Sequence, residues 1–549
     1  MQSNTVELAA SAVRNYGKNT FIPKPFEHIY TCNNGDLIPA FATIQINPGD
    51  TWSIATSILA RLNTSRYPTI ARGYITYNWF YVPHNQVWDN WDAFMGENKE
   101  SAWISQTAYS VPKVSIPTGQ TIANGSLLEH FGWPTNQENF KASALKLRAY
   151  NWIADQFYRD QNIEAPFAPL TGEADIIYAQ DGDHTVGAKP YQINRKADYF
   201  STALPEPQKG PDVLIPLGTS ANVKFRRTET VDPDSISGLV DYRSTGERNR
   251  NNTSPFGLSV STGGVVGMSA QAVDSAQNKE LLVSGYADLA NAISGDINDL
   301  RTASITQHIY ERDARSGTRA PEMLWARWGV EVDPLELGRP RLLHGGQFDI
   351  EYNQVPQTSA SDTTSPQGTL TAFGYTSNRS EWETHSFKYA GTLMCLVAIR
   401  YEHKYQQGIA REDMKFDRFD FWHPEMAGLG DQPIYDYEIF ATGGDTGTIA
   451  TESVFGYAER GAEYKNYPSL VTGQVRSNYA QTMDYTHMAD IYESKPTLSS
   501  GWMKENPDNL DRTIFVTSNN ANQFIVDFVA EFKITTTMPL YSVPGIDRL

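Results

Sequence analysis

The sequence predicts a mainly β protein whose strands are separated by long loop and helical insertions. Three observations carry that prediction. First, two segments alternate cleanly. In Ser386–Tyr401, the residues Phe387, Tyr389, Leu393, Cys395, Val397 and Ile399 share one face. In Asn522–Thr535, Phe524, Val526, Phe528, Ala530, Phe532 and Ile534 share one face, with Asp527, Glu531 and Lys533 opposite. A period of two marks a half-buried strand. Second, Ala71–Val82 is dense in the β-branched and aromatic residues that a pleated surface favours. Third, these segments lie far apart in a chain of 549 residues. Eight strands of at most ~10 residues use only about 80 of them, so most of the chain lies outside the sheets.

The remaining elements follow in chain order. The first forty residues are punctuated by Asn, Gly and Pro and are expected to form an extended arm. Phe41–Leu62 reads as two strands around the turn Asn47-Pro48-Gly49-Asp50, where Pro fixes φ and Gly accepts a positive φ. A helix is expected over Ala142–Arg159, because Leu145, Ala149, Trp152, Ile153 and Phe157 recur at helical spacing. A second is expected over Ala287–Glu311, on Leu289, Ile293, Ile297 and Leu300. A third starts at Pro321 and stops at Gly329, with Pro in the first turn and Gly past the end. Residues 218–285 are rich in Ser, Thr, Gly and Asn and read as a surface insertion; residues 356–380 form a second such stretch. The expected organisation is an arm (1–40), first strands with a helical insertion (41–217), a surface insertion (218–285), helices and remaining strands (286–537), and a tail (538–549). No internal repeat is present.

Composition narrows the function. The chain has 12 Trp, 29 Tyr and 24 Phe. Each buried aromatic removes roughly 150–250 Å² from water, which suits a large core or extensive subunit interfaces. The net charge of −18 argues against non-specific DNA binding by the whole surface. Local candidates for genome contact are Lys224, Arg226 and Arg227, or Arg339 and Arg341. The N-terminus has no signal-peptide pattern, and no apolar run reaches the ~18 residues of a membrane span. Cys32 and Cys395 are expected to be buried small hydrophobes in a protein assembled in a reducing cytoplasm. The glycosylation patterns at Asn63 and Asn378 are then chance matches.

No catalytic signature stands out in the sequence. There is no zinc spacing of Cys and His, no H-E-x-x-H and no G-x-S-x-G elbow. Gly263–Gly267 lacks the Lys of a phosphate loop. Asp181-Gly182-Asp183 and Asp296-Ile297-Asn298-Asp299 lack the 12-residue ligand spacing of a calcium loop. His403 and His423 are expected to be structural. Arg411–Asp431 mixes basic, acidic and aromatic residues; it is expected to be a packed loop with Arg–Asp pairs rather than a nucleic-acid platform, since Asp417 and Asp420 would repel phosphate. No catalytic, cofactor-binding or metal residue is assigned. On these grounds two other classes stay open: a β-sandwich carbohydrate-active enzyme or lectin, and a trimeric phage tail or spike protein, which the lack of repeats disfavours.

Specific strings go further. Phe200–Pro216 reads FSTALPEPQKGPDVLIP, and FDRFDFWHPEMAGLGDQ follows Lys415. Val454–Ser477 reads VFGYAERGAEYKNYPSLVTGQVRS, and Met538–Gly545 reads MPLYSVPG. Trp88-Asp89-Asn90-Trp91, Arg148-Ala149-Tyr150-Asn151 with Phe157–Asn162, and Ile297–Arg301 with Glu311–Arg319 complete the set. Together, taken along the chain, these blocks run in the family's order and resemble the major capsid protein of microviruses, in particular the gokushovirus-like branch. Residues 218–285 match nothing in it. The resemblance implies a single eight-stranded antiparallel viral jelly roll with long insertions. It implies pentamers that assemble into a T = 1 icosahedral shell around circular single-stranded DNA. It further implies helper scaffolding and pilot proteins, a small basic DNA-associated protein, and an exposed protrusion, carried here to residues 218–285, that meets a host receptor. Its place would be the virion, after assembly in the bacterial cytoplasm, with no membrane partner.

Overall fold

The computed structural model describes residues 17–97, 109–167, 171–213, 297–317, 319–356, 370–442, 453–515 and 521–539, isolated positions 358, 361, 367, 368 and 518, and the backbone of four strands within 223–287. The chain divides into two compact units, residues 210–310 and the remainder.

The larger unit is mainly β and antiparallel. Its long strands are β1 (Phe26–Cys32), β2 (Asp36–Ile46), β3 (Thr51–Leu62), β4 (Gly73–Pro83), β5 (Arg341–Pro356), β6 (Leu370–Arg379), β7 (Gly391–Tyr401) and β8 (Phe524–Thr536). One sheet runs β1-β8-β3-β6. The other runs β2-β7-β4-β5. Strand β5 joins them: Arg341–Ile350 pairs with β4, whereas Glu351–Pro356 pairs with β6. Short strands at Asn19–Phe21, Glu383–Ser386 and Tyr191–Gln192 extend the sheets.

The two sheets face each other as in a β-sandwich. Ile54, Ile58 and Ala60 of β3 and Phe524, Val526, Phe528 and Phe532 of β8 meet Ile75, Tyr77 and Trp79 of β4 and Leu393, Cys395, Val397 and Ile399 of β7. The alternation read from the sequence is the inward register of this core. Trp79 is fully buried, and its indole N–H donates to Thr56 Oγ1 at 2.9 Å, so no donor is stranded. Cys32 and Cys395 are free thiols in the same core, as expected, and burial pushes both thiol pKa values up.

The second sheet is buried on its other face too. Phe80 and Val82 of β4 and Met394, Leu396 and Ala398 of β7 pack against helix α1 (Leu145–Ile153) and its neighbours. Strand β7 is therefore buried on both faces, which accounts for its unbroken apolar run GTLMCLVAI. Tyr150 of α1 donates to Leu37 O of β2 at 2.7 Å and accepts from Tyr191 N at 2.9 Å. Arg148 is buried and donates to Val87 O and Ala174 O at 3.0 and 2.8 Å. A third core joins loop residues Tyr199, Phe200 and Tyr405 to Ile434 and Phe455 of the short strand pair Asp431–Tyr435 and Val454–Glu459 and to Trp502 of the one-turn helix Ser500–Met503.

Several expectations differ from what is found. The stretch expected as an arm contains β1 and the start of β2, and Tyr30 and Cys32 lie in the core. The polar punctuation there marks a tight turn, Asn33–Gly35, with Gly35 at φ 88°. Part of the stretch at 356–380 is strand β6. Its inward residues are Ala372, Gly374 and Thr376, too small to produce a visible hydrophobic alternation. The first helix ends earlier than expected and continues as a π-turn, Ala154–Tyr158. The second, α2, is described over Ile297–Ser316 and ends later than expected; Leu300 is exposed, and Leu289 and Ile293 lie outside the described residues. The third, α3 (Ala320–Trp328), ends at Gly329 with φ 67°, as expected. In the smaller unit, Val223–Thr228 pairs with Leu282–Ala287, and Phe256–Val260 with Val266–Ala270.

Glycine and tyrosine face one another across strands at three places: Gly73 and Tyr401, Gly346 and Tyr77, Gly374 and Tyr352. A Cβ at Gly346 would come within 2.7 Å of the Tyr77 ring. The glycines make room for rings that cover the strands. Gly346→Val should cost about 1–3 kcal/mol by overpacking, measured by urea denaturation; unchanged stability would show that the Tyr77 ring can move aside freely.

Candidate assembly surface

The long segment between β7 and β8 has little regular structure of its own, so polar contacts must hold it. His403, just after β7, is the hub. Its Nδ1 lies 3.3 Å from Asp490 and its Nε2 lies 3.0 Å from Glu505. Asp490 also pairs with Arg195, accepts from Tyr492 OH at 3.1 Å, and accepts from Asn509 at 2.5 Å. Asn34, in the β1–β2 turn, donates from its side chain to Glu505 at 2.9 Å and from its backbone to Gln523 at 2.9 Å. The Arg195 guanidinium sits 4.6 Å from the centre of the Trp502 ring. These groups tie three distant parts of the chain to the end of the sandwich.

Burial alone would lower the His403 pKa, but the carboxylates of Glu505 and Asp490 outweigh it and raise it to about 10. Burial opposes ionisation of Asp490, yet His403 and Arg195 hold its pKa well below the usual carboxylate range. A charged imidazolium between two carboxylates is a structural clamp. His403 thus has the structural role expected of it. His423 Nε2 lies 3.1 Å from Arg418 O and makes a local turn contact.

The other sequence candidates are also placed. Asp183 caps the short turn His184–Val186, accepting from Thr185 N at 2.9 Å. Asp181 and Asp183 border an open depression of about 900 Å³ with Phe167, His184, Tyr191 and Lys504. Lys504 is engaged there by Glu164 at 2.5 Å and Tyr191 OH at 2.6 Å. Among the described residues, no group of three His, Cys, Asp or Glu is arranged to hold a metal, and no described helix is long and apolar enough to cross a membrane. Arg339 donates to Gln156 O at 3.0 Å and lies 5.3 Å from the Phe157 ring centre, so its charge is used within the subunit. Arg341 is half-exposed, 3.9 Å from Asp333. The side chains of Lys224, Arg226 and Arg227, Asp296, and the run Gly263–Gly267 lie outside the described ones.

What the surface does carry is apolar. On the outer face of the first sheet, Ile29, Leu59, Tyr375 and Ile525 are exposed. On α3, Trp325 and Trp328 are 69% and 66% exposed. The loop Arg411–Asp431 departs from its expected packing: Phe416 and Phe419 are 78% and 68% exposed, and Phe421, Trp422 and Leu429 are exposed with them. Two of its three cations pair with carboxylates outside the loop. Arg411 meets Glu438 at 3.5 Å, and Lys415 meets Glu463 at 3.4 Å. The sequence signal was the alternation of Asp with aromatics; it marks short turns capped by Asp420, not a packed loop. Exposed aromatics in such number are interaction surface.

Known proteins agree in kind. Residues 17–546 match the model of a phage family described as capsid protein (F protein). The chain belongs to that family. It is 33% identical to capsid protein VP1 of Chlamydia phage 1 over 572 aligned residues, covering 93% of each protein. It is 35% identical to capsid protein VP1 of Bdellovibrio phage phiMH2K, covering 93% of this chain and 92% of the relative. It is 33% identical to capsid protein VP1 of Spiroplasma virus 4, covering 97% of each. The chain is a structural capsid protein of the microvirus kind, as its sequence motifs implied, and a component of the virion rather than an enzyme. Copies of it assemble into a capsid shell.

The clamp at His403 gives a pH signature. A pKa of about 10, above the ordinary 6.5, means stability that is complete below about pH 6.5 and lost as pH rises through about 10. Asp490, shifted the other way, contributes above its ordinary value of 3.8 and loses that contribution as acid protonates it. His403→Gln should destabilise the subunit by about 3–5 kcal/mol at neutral pH and flatten the fall in melting temperature on the alkaline side. An alkaline slope identical in the variant and the wild type would refute the clamp.

Proposed function

We propose that this chain is the major shell subunit of a T = 1 icosahedral capsid enclosing circular single-stranded DNA, and that its sandwich is a single eight-stranded viral jelly roll. The observation that carries the reading is strand order. The sheets β1-β8-β3-β6 and β2-β7-β4-β5 are antiparallel, and each places chain-distant strands side by side. Two interlocked Greek keys give that order. The flanking short strands and loop segments are additions to this frame.

The large insertions serve contacts in this reading. A permanent interface buries upwards of ~2,000 Å², and a subunit in a closed shell needs several. The N-terminal arm ahead of Asn19 and the tail after Met538 lie against neighbouring subunits or the inner wall. Residues 218–285 form an outward protrusion that meets the host receptor. The subunit first forms pentamers, with scaffolding and pilot proteins assisting. The genome is held indirectly: a surface of net charge −18 repels phosphate, and a small basic protein neutralises it.

Replacing residues 218–285 by a short Gly-Ser linker should leave shells intact in electron micrographs of particles made with the accessory proteins, while attachment to host cells falls. Folded subunits that no longer form shells would contradict the outward placement.

A further inference from the structure

We infer that the aromatic loop Lys415–His423 is a contact between copies of this chain. The inference rests on the shell-subunit reading and names a surface that it uses.

The loop is built to hold its rings out. Asp420 accepts from the backbone N–H groups of Phe416 and Asp417 at 2.9 and 2.7 Å. Trp422 N donates to Tyr464 OH at 3.3 Å, and Lys415 Nζ donates to the same oxygen at 2.9 Å. The Trp422 ring lies over Gly461, which has φ 81°; a Cβ there would come within 3.1 Å of the ring. The platform is thus set before any partner arrives, which lowers the ordering cost of association.

The exposed rings are a large fraction of an interface. Phe416, Phe419, Phe421, Trp422 and Tyr464 are 78%, 68%, 53%, 40% and 47% exposed. At 150–250 Å² per ring, that is roughly 400–700 Å² of aromatic surface in water. One side of a standard protein interface is about 800 Å². Aromatic residues are also the side chains that most often dominate binding energy.

Charge decides the occupant. A single strand of nucleic acid needs stacking rings together with cations for its phosphates. Residues 411–431 contain six carboxylates and three cations. Of those cations, Lys415 is almost wholly covered and paired with Glu463, and Arg411 is paired with Glu438. Arg418 lies over the Phe419 ring, 5.0 Å from its centre. The rings are offered without a cation track, so the fit is to protein. In a shell of identical subunits, the protein at hand is another copy.

The test uses the full chain and the variant Phe416→Ser/Phe419→Ser/Phe421→Ser. All three side chains are exposed, so circular dichroism and the melting temperature should be unchanged. Sedimentation velocity across a concentration series should show association weakened at least about tenfold. Hydroxyl-radical footprinting of the wild type should show these rings protected in the assembled fraction and open in the monomer. A folded variant that associates like the wild type overturns the inference and leaves the shell reading standing. Protection that appears only on adding a poly-dT oligonucleotide overturns it in favour of nucleic acid. A wild-type chain that stays monomeric at every concentration, with or without the accessory proteins, contradicts the shell reading and the inference together.

Discussion

One sheet is buried on both faces, and the rest of the larger unit depends on it. Strands β4 and β7 send Trp79, Cys395 and Val397 into the sandwich and Phe80, Met394 and Leu396 under the helical insertion. A strand with two apolar faces cannot exist at the edge of a small domain. It requires a second sheet on one side and a separate covering layer on the other. The insertion between β4 and β5 supplies that layer through α1, and Tyr150 fixes it to the backbone of β2. The sandwich and the insertion therefore share one structural element.

The same arrangement separates folding from contact-making. The chain leaves this sheet after Pro83 and again after Tyr401. The register pairs Gly391 with Pro83 and Tyr401 with Gly73, so the two long segments leave from opposite ends. Each is then anchored by few but costly groups: buried Arg148 in the first, and the His403 clamp in the second. Buried charges that lose a partner are strongly destabilising, so these anchors fix loop position alongside the apolar cores that each segment forms. Other aromatic residues of these segments stay at the surface, Phe416, Phe419, Trp325 and Trp328 among them.

How much of this was legible in the sequence follows from the physics of each element. Strand β8 is legible because only one face is buried, so Phe524, Val526, Phe528, Ala530 and Phe532 alternate with less buried positions that include Asp527 and Glu531. Strand β7 was found, but its second buried face was not read, since a continuous apolar run carries no period. Strand β6 carries no visible pattern because Ala372 and Gly374 are inward residues without bulk, Gly374 lying opposite Tyr352. Strand β1 was taken for an arm because its outer residues, Glu27 and Ile29, are exposed and its neighbours are turn formers. His403 reads as structural in the sequence, but its partners Asp490 and Glu505, and the Arg195 that pairs with Asp490, lie some ninety to two hundred residues away in segments without periodicity. The aromatic loop was visible as a string of residues; whether its rings faced in or out depended on tertiary packing. The capsid family was legible only through ordered motifs, because composition and period alone reach no further than a large β protein with long insertions.

One sheet carries both the sandwich and the insertion as a cooperative unit. Hydrogen–deuterium exchange followed by mass spectrometry on the full chain tests it most directly. The account predicts that peptides covering β4, β7 and α1 become exchangeable together, in the slowest class, with the free energy of global unfolding. Exchange of α1 and its neighbours in a distinct, faster step, while β4 and β7 remain protected, would contradict it.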